Sequence, residues 1–323
     1  MSSIAIVTLA FAGCAVGPNY KRPTTDTPPH YKAEALGSWK EGRPLDNLPK
    51  GDWWNVFGDE TLNDLQSRAT GANQDLKAAI ARVEQARATA RVARSELLPA
   101  LNADPNYTRQ RFSPNQVPSL GDLTANRFSA SLDLSYETDL WGRVRRGFEN
   151  ARADAQASRA AFHNVLLTLH ADFAQNYFAL RALDSEISIV ASTVGLRRQQ
   201  VQLVRDRFEN GIGNQLDLAR AETELASTEA EAASLAKRRA ELENALAILV
   251  AENPTMFKFA AASVDDGWNP PPPKIPAGLP ADLLERRPDV SEAERQLAAA
   301  NARIGVAKAA FFPVLRLTGS GDT

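Results

Sequence analysis

Apolar and polar positions keep a period of two in two stretches of this chain and a period of seven in two others. From Leu101, the apolar series Leu101, Ala103, Pro105, Tyr107 alternates with Asn102, Asp104, Asn106, Thr108. Phe128 to Glu137 alternates more cleanly: Phe128, Ala130, Leu132, Leu134 and Tyr136 against Ser129, Ser131, Asp133, Ser135 and Glu137. The pattern predicts two strands of about ten residues, each with one apolar and one polar face. Pro114, Pro118 and Gly121 mark the stretch from Arg111 to Asn126 as the loop of a hairpin. A tilted membrane strand, apolar toward lipid and polar toward a lumen, alternates in this way. So does a half-buried strand of a soluble sheet, and periodicity alone does not separate them. Trp141, just after the second strand, suits a membrane interface or the lid of a core.

The helical stretches are long. Asn73 is a good N-cap for a helix from Gln74 to about Glu96, which Pro99 stops. A second helix is predicted from about Arg145 to Glu209, roughly 95–100 Å at 1.5 Å per residue. Leu166, Phe173, Leu180, Ile187, Val194, Val201 and Phe208 form one seam of it, and Leu169, Asn176, Leu183, Val190, Arg197 and Val204 another. A seven-residue repeat sustained this far predicts a left-handed coiled coil. Gly211-Ile212-Gly213 breaks it, and a third helix from about Gln215 to Val250 keeps seams at Leu218, Leu225, Ala232, Arg239, Leu246 and at Ala221, Thr228, Leu235, Leu242, Leu249. The centre of the chain therefore reads as an antiparallel helical hairpin with a tight tip.

Around these elements the chain divides into four parts. Residues 1–14 form an apolar leader. Residues 15–52, rich in Pro, Thr, Lys and Gly, read as an extended tether without a core. Residues 53–268 hold a short helical region opened by Trp53-Trp54-Asn55-Val56-Phe57-Gly58-Asp59, the first long helix, the strand hairpin (100–138) and the helical hairpin (145–250). Residues 269–323 begin with Pro270-Pro271-Pro272-Pro273, a stiff connector, then a short helix from Ala281 to Arg286 and another from Pro288. That last helix is a repeat. Asp75-Leu76, Ala93-Arg94 and Leu97-Leu98-Pro99-Ala100-Leu101 recur as Asp289-Val290, Ala307-Lys308 and Phe311-Phe312-Pro313-Val314-Leu315, 214 residues on. The second copy reaches Thr323 barely into its first strand, which reads as a fragment or a truncated copy.

Composition narrows the class. Of 323 residues, 37 are Lys or Arg and 39 are Asp or Glu, so the net charge is -2. Such a balance lacks the basic surplus of a nucleic-acid partner. No run of about 18 apolar residues encodes a membrane-spanning helix. The single cysteine, Cys14, excludes an internal disulfide framework and a thiolate-rich metal site. It follows a short apolar run from Ile4 and the small residues Ala12-Gly13, which resembles the lipobox of a bacterial lipoprotein signal. Cleavage there would leave an acylated Cys14, and covalent lipid would anchor the chain without a helix. The alternatives are an ordinary signal peptide with a stray cysteine and a buried N-terminal segment. No Lys or Arg precedes Cys14, and Phe11 stands where Leu is usual. Ala15 after the cysteine, rather than Asp, favours the outer membrane.

Several stretches carry a resemblance. They are Cys14-Ala15-Val16-Gly17-Pro18-Asn19-Tyr20, Trp53-Trp54 with Phe57 and Leu62, Phe128 through Glu137 into Asp139-Leu140-Trp141-Gly142-Arg143, and Arg286-Arg287-Pro288-Asp289-Val290 into Ala299-Ala300-Asn301-Ala302-Arg303-Ile304-Gly305. Nearly the whole chain resembles the outer-membrane efflux proteins, the TolC-like channel family, and within it the lipoprotein subgroup named for NodT and OprM. The resemblance implies a mainly α protomer with a membrane β-hairpin. Three such protomers would build one twelve-stranded β-barrel in the outer membrane of a Gram-negative bacterium and a helical tunnel in the periplasm. It implies a passive homotrimer whose partners are a periplasmic adaptor (membrane fusion) protein and an inner-membrane pump of the resistance-nodulation-division (RND) type. Ser129, Ser131, Asp133, Ser135 and Glu137 would line the pore, and Phe128, Ala130, Leu132, Leu134 and Tyr136 would face outer-membrane lipid. Adaptor docking at the periplasmic tip maps to Arg207, Phe208, Gly211, Ile212, Gly213 and Asp217. Gly211 and Gly213 also read as a plain left-handed turn, and Asp217 as a first-turn acid favoured by the helix dipole.

Other chemistry finds little footing. Gly211 and Gly213 lack the third glycine of a dinucleotide loop and join two helices. His163 and His170 lie on one helix face with no carboxylate cluster, which reads as solvated or seam histidines rather than a metal site. Arg143, Arg145 and Arg146 read as a solvated membrane-proximal face more than an anion site. With no Ser-His-Asp, Walker or HExxH pattern, the chain is not read as an enzyme, and it needs no cofactor beyond a lipid on Cys14. The expected activity is passive export of drugs or other small solutes in a tripartite efflux system. The alternatives are a channel for type I protein secretion, a coiled-coil adaptor without a pore, and a truncated non-functional copy.

Overall fold

The computed structural model describes residues 15–23, 51–112, 123–262, 284 and 286–322. Cys14 and the connector from 263 to 283 lie outside the described residues, as does most of the tether. Two compact units organise the chain. One is drawn from residues 1–28, 81–161 and 288–323, the other from 29–80 and 162–287.

The first unit carries the sheet. Strands β1 (Ala100–Phe112), β2 (Leu123–Thr138) and β3 (Leu315–Asp322) are antiparallel in the order β1-β2-β3. The hairpin strands run several residues past the alternating segments that predict them. The third strand pairs beside β2, where Tyr136 faces Leu317 and Thr138 faces Leu315. The helical part of this unit comes from α2 (Gln74–Ser95), the start of α3 (Arg143–Glu209) and α5 (Pro288–Ala309). Small residues dominate what is buried there: Ala151, Ala153, Ala157, Ala160, Ala299, Ala302 and Ala309. Each hides a single methyl, about 0.8 kcal/mol at most, so close backbone approach rather than bulk defines this unit.

The second unit has the larger core. A 3-10 turn (Trp53–Phe57) ends on Gly58 at φ 64°. Helix α1 (Glu60–Ala72) then starts under Asp59, whose carboxylate accepts from the Leu62 amide at 3.0 Å. Trp54, Leu62, Leu65 and Ala69 pack on Phe173, Ala174, Tyr177 and Leu180 of α3 and on Leu246, Ala247 and Val250 at the end of α4 (Gln215–Leu249). Buried residues of this size are worth about 1.5–3 kcal/mol each. The heptad seam is real but uneven: Phe173, Leu180, Val194 and Val201 are buried, while Phe208 near the tip is exposed. Arg197–Glu224, Arg198–Glu229 and Arg205–Glu222 tie α3 to α4 along the exposed flank.

Candidate functional site

The register brings three strand patterns onto one surface. Leu101 faces Leu134, Ala103 faces Leu132, Pro105 faces Ala130 and Tyr107 faces Phe128. On the other side of β2, Leu134 faces Gly319 and Tyr136 faces Leu317. Directly opposed residues share a face, so this face is apolar across all three strands. Its large side chains are bare: Phe128 is 76% exposed, and Leu101, Leu132, Leu134, Leu315 and Leu317 are exposed too. The reverse face pairs Asn102 with Asp133, Asp104 with Ser131, Asn106 with Ser129, and Ser135 with Thr318. On β2, Ser129, Ser131, Asp133 and Ser135 are half-buried while Phe128, Ala130, Leu132 and Leu134 are exposed, which inverts the arrangement of a soluble sheet.

The apolar face is a band with ends. Beyond Tyr107 and Phe128 its positions turn polar, at Arg109 and Asn126. From Phe128 to Tyr136 is about 27 Å along an antiparallel strand, or about 20 Å for a strand tilted by about 40°. That approaches the roughly 25 Å apolar belt of an outer-membrane barrel. Aromatic rings mark both ends. Tyr107 and Phe128 lie 4.7 Å apart at one, and Tyr136 with Trp141 marks the other. Trp141 stacks on Phe312 at 4.5 Å, and its indole N–H donates to the Pro313 carbonyl at 3.0 Å. Aromatic belts of this kind sit at membrane–water interfaces.

Acid–base pairs close the strand-to-helix junction. Glu137, a predicted pore residue, receives both Nε and Nη2 of Arg143 at 2.7 Å. Arg145 binds Asp139, and Arg146 binds Glu149 at 2.7 Å. The expectation of a solvated basic face fails for Arg146, whose side chain is only 7% exposed. Alternating charges in the sequence neutralise each other here, which the count of arginines alone conceals.

At the far end of the helical hairpin, the tip is a tight turn. Gly211 takes φ 73°, and the amides of Ile212 and Gly213 both donate to the Arg207 carbonyl, at 2.9 and 3.1 Å. A β-carbon on Gly213 would meet the Phe208 amide nitrogen at 3.1 Å. Asn214 caps α4 by accepting from the Asp217 amide at 2.8 Å. The turn leaves Ile212 80% exposed, with Phe208 and Leu216 exposed beside it. Among the described residues no hydrogen bond or ion pair ends on the Asp217 carboxylate. The six tip residues therefore fall in one stretch of turn and flanking helix. The place of Asn214 before a helical pattern is the sequence signal for this cap.

Two features were not read from the sequence. Ile189, Leu196 and Leu203 repeat every seven residues on α3 and stay exposed, a third apolar stripe. In the core of the second unit, a polar cluster holds the residues after α4. The Tyr177 hydroxyl donates to Asp59 at 2.5 Å, and burial pushes its pKa up to about 12. Arg181 lies over the Phe259 ring at 4.2 Å and donates to the Ala260 carbonyl. Arg239 binds Asp184 at 2.7 Å and the Phe259 carbonyl at 2.8 Å. His170 is buried against Trp54 and bonded to Thr70 at 2.9 Å, and burial lowers its pKa. It is a seam histidine, as one of the two readings had it. Among the described residues no cluster of His, Cys, Asp and Glu could hold a metal ion.

A strand hairpin with a bare apolar band, continued into a long helical hairpin, defines a protomer of the TolC-like outer-membrane channel type. Solved structures agree: the outer-membrane channel OprN superposes with a TM-score of 0.77 at 29% identity, covering 95% of this chain and 68% of that one. The sequence profile described as "Outer membrane efflux protein" matches residues 65–252 and 279–323. The chain belongs to that family, and its place is the outer membrane of a Gram-negative bacterium. The pyoverdine export outer membrane protein OpmQ of Pseudomonas aeruginosa is 36% identical over 83% of this chain. The cation efflux system protein CusC of Escherichia coli is 32% identical over 98% of it. The chain spans 57% of the length of OpmQ and 66% of that of CusC.

Proposed function

We propose that this chain supplies one protomer of a lipid-anchored homotrimeric channel through which a tripartite efflux system passes small solutes out of the cell. The observation that carries it is the apolar band shared by three adjacent strands, bare of any covering element. Strand edges and an exposed apolar band are stable in lipid only when the sheet closes, so further strands complete a barrel. Ser129, Ser131, Asp133 and Ser135 then line the lumen, with Glu137 held by Arg143 at its periplasmic end. Phe128, Ala130, Leu132, Leu134 and Tyr136 meet lipid. The stripe at Ile189, Leu196 and Leu203 packs on neighbouring helices of the tunnel wall. Arg207, Phe208, Gly211, Ile212, Gly213 and Asp217 meet the periplasmic adaptor, and the RND pump supplies the energy. Cys14 carries the lipid. The roles that OpmQ and CusC are named for, pyoverdine export and cation efflux, favour a solute cargo over a secreted protein.

The test is single-cysteine labelling in outer membranes, in a background with Cys14 retained and blocked. Cysteines at Ser131, Asp133 and Ser135 are expected to react with a membrane-impermeant maleimide. Cysteines at Leu132 and Leu134 are expected to react only with a lipid-soluble one. Equal reactivity of both faces toward the impermeant reagent would refute the barrel reading.

A further inference from the structure

The two copies of the helix–Pro–strand repeat differ at the positions that touch the N-terminal segment. Residues 15–23 form neither helix nor strand, yet they are not a free tether. The Val16 amide donates to the Trp141 carbonyl at 2.9 Å. Gly17, at φ 101°, lies so close to α5 that a β-carbon on it would stand 2.6 Å from the Gly305 Cα. Asn301 donates to the Pro18 carbonyl at 3.0 Å. Asn19 receives Arg146 at 2.6 Å. Glu294, 11% exposed, accepts from the Tyr20 hydroxyl and pairs with Arg22 at 2.9 Å.

Shifting by 214 residues places Ile80, Arg87 and Arg91 where the second copy has Glu294, Asn301 and Gly305. Two of the three could not serve. Isoleucine offers Tyr20 and Arg22 no acceptor. Arginine at 91 would fill the space that Gly17 and the Arg146 side chain occupy, since even a β-carbon on Gly305 would lie 2.8 Å from the Arg146 Cγ.

We infer that residues Ala15–Pro23 are a strap that recognises the second-copy helix and rejects the first, with Gly305 and Glu294 as its specificity-determining residues. The strap does more than lie in a groove. It supplies Asn19 to the buried Arg146 guanidinium, which also binds Glu149, and it ties down the turn at Trp141-Gly142 where β2 becomes α3. Gly142, at φ 83°, leaves no space for a β-carbon beside Ala15. Strap docking thus fixes which of the two quasi-equivalent helices sits against the strand-to-helix junction. The inference rests on contacts within the chain and stands whether or not the chain exports solutes.

Hydrogen exchange with mass spectrometry on the full chain in detergent tests it. Glu294→Ile and Gly305→Arg install the first-copy residues, and Arg91→Gly makes the reverse change in the first copy. In both second-copy variants, peptides covering 15–23 should exchange at least about tenfold faster, as expected for lost polar contacts, while β2 peptides keep their protection. Arg91→Gly should leave 15–23 unchanged. Should Gly305→Arg fail to fold, Glu294→Ile decides alone. Wild-type protection of 15–23 in Glu294→Ile overturns the strap, and release of 15–23 by Arg91→Gly overturns its selectivity.

Discussion

Leu132 sits midway along the apolar band, four residues from both Phe128 and Tyr136, and is 55% exposed. With a strand rise of about 3.4 Å, it lies about 14 Å along the strand from either aromatic end, or about 10 Å from each interface after tilt. Leu132→Arg therefore puts a guanidinium near the bilayer midplane. A cation there destabilises a transmembrane barrel by about 2–4 kcal/mol, falling to about 0–1 near the interfaces. The larger figures correspond to roughly 30- to 800-fold in the folding equilibrium. Two controls make the number diagnostic. Asn126→Arg lies on the same face but beyond the band, so it should cost little. Asp133→Arg is next to Leu132 but on the polar face, opposite Ser320 and Asn102, so it too should cost little. Urea unfolding of the protein inserted in lipid vesicles, followed by gel mobility of the folded form, reads the three midpoints. A steep loss for Leu132→Arg alone is expected. Equal losses at Leu132 and Asn126 would mean that no low-dielectric layer covers the band, and the membrane assignment of this sheet would fall.

Three further predictions concern the second unit. Tyr177→Phe removes the hydroxyl bonded to Asp59, and melts should report a loss of about 1.5–3 kcal/mol, as for a bond to a charged group. Because the folded pKa of Tyr177 is raised to about 12 from 10.0, its contribution is whole below pH 10 and lost as pH rises toward 12; that alkaline slope should vanish in the variant. His170, with its pKa lowered by burial, works in the opposite direction: it stabilises the fold fully above its unfolded value of 6.5 and progressively less as pH falls below it. Thermal melts between pH 7.5 and 5 should show that decline in the wild type and a flatter profile in His170→Gln. Arg239→Ala leaves Asp184, whose side chain is 2% exposed, without its close partner, and should cost about 3–5 kcal/mol. Limited proteolysis should then cut within 257–262 faster than in the wild type, and unchanged cleavage would contradict the clamp.

The sequence was most informative where a single element carries its own period. Heptads placed α3 and α4 to within about two residues, because the seam recurs often enough to outweigh its interruptions at Asn176 and Arg197. Alternation identifies both faces of β2 without reference to any partner strand. Capping chemistry was equally local: Asn73 accepts from the Leu76 amide at 3.0 Å, as its position before a helical pattern suggests.

What escaped is long-range, and the reason is physical rather than statistical. Arg146 looked like one cation among three on a solvated turn. Its burial depends on Gly305, 159 positions away in the chain, giving up a side chain so that the guanidinium stem can lie against the helix. No periodicity records such a bargain between a large residue and an absent one. The polar cluster of Asp59, Tyr177, Arg181, Asp184 and Arg239 is similar. Each member sits where the local pattern tolerates a polar residue, and only the convergence of Arg181 and Arg239 on the backbone of Ala260 and Phe259 explains why the four charged members are arranged toward one another. The repeat offers a partial remedy. Once two copies share a backbone plan, the positions where they differ mark contacts that only one copy makes. Ile80 against Glu294 and Arg91 against Gly305 are such positions, and the second-copy residue of each, Glu294 and Gly305, meets the strap. Differences between internal copies therefore locate tertiary contacts that the pattern within either copy leaves invisible.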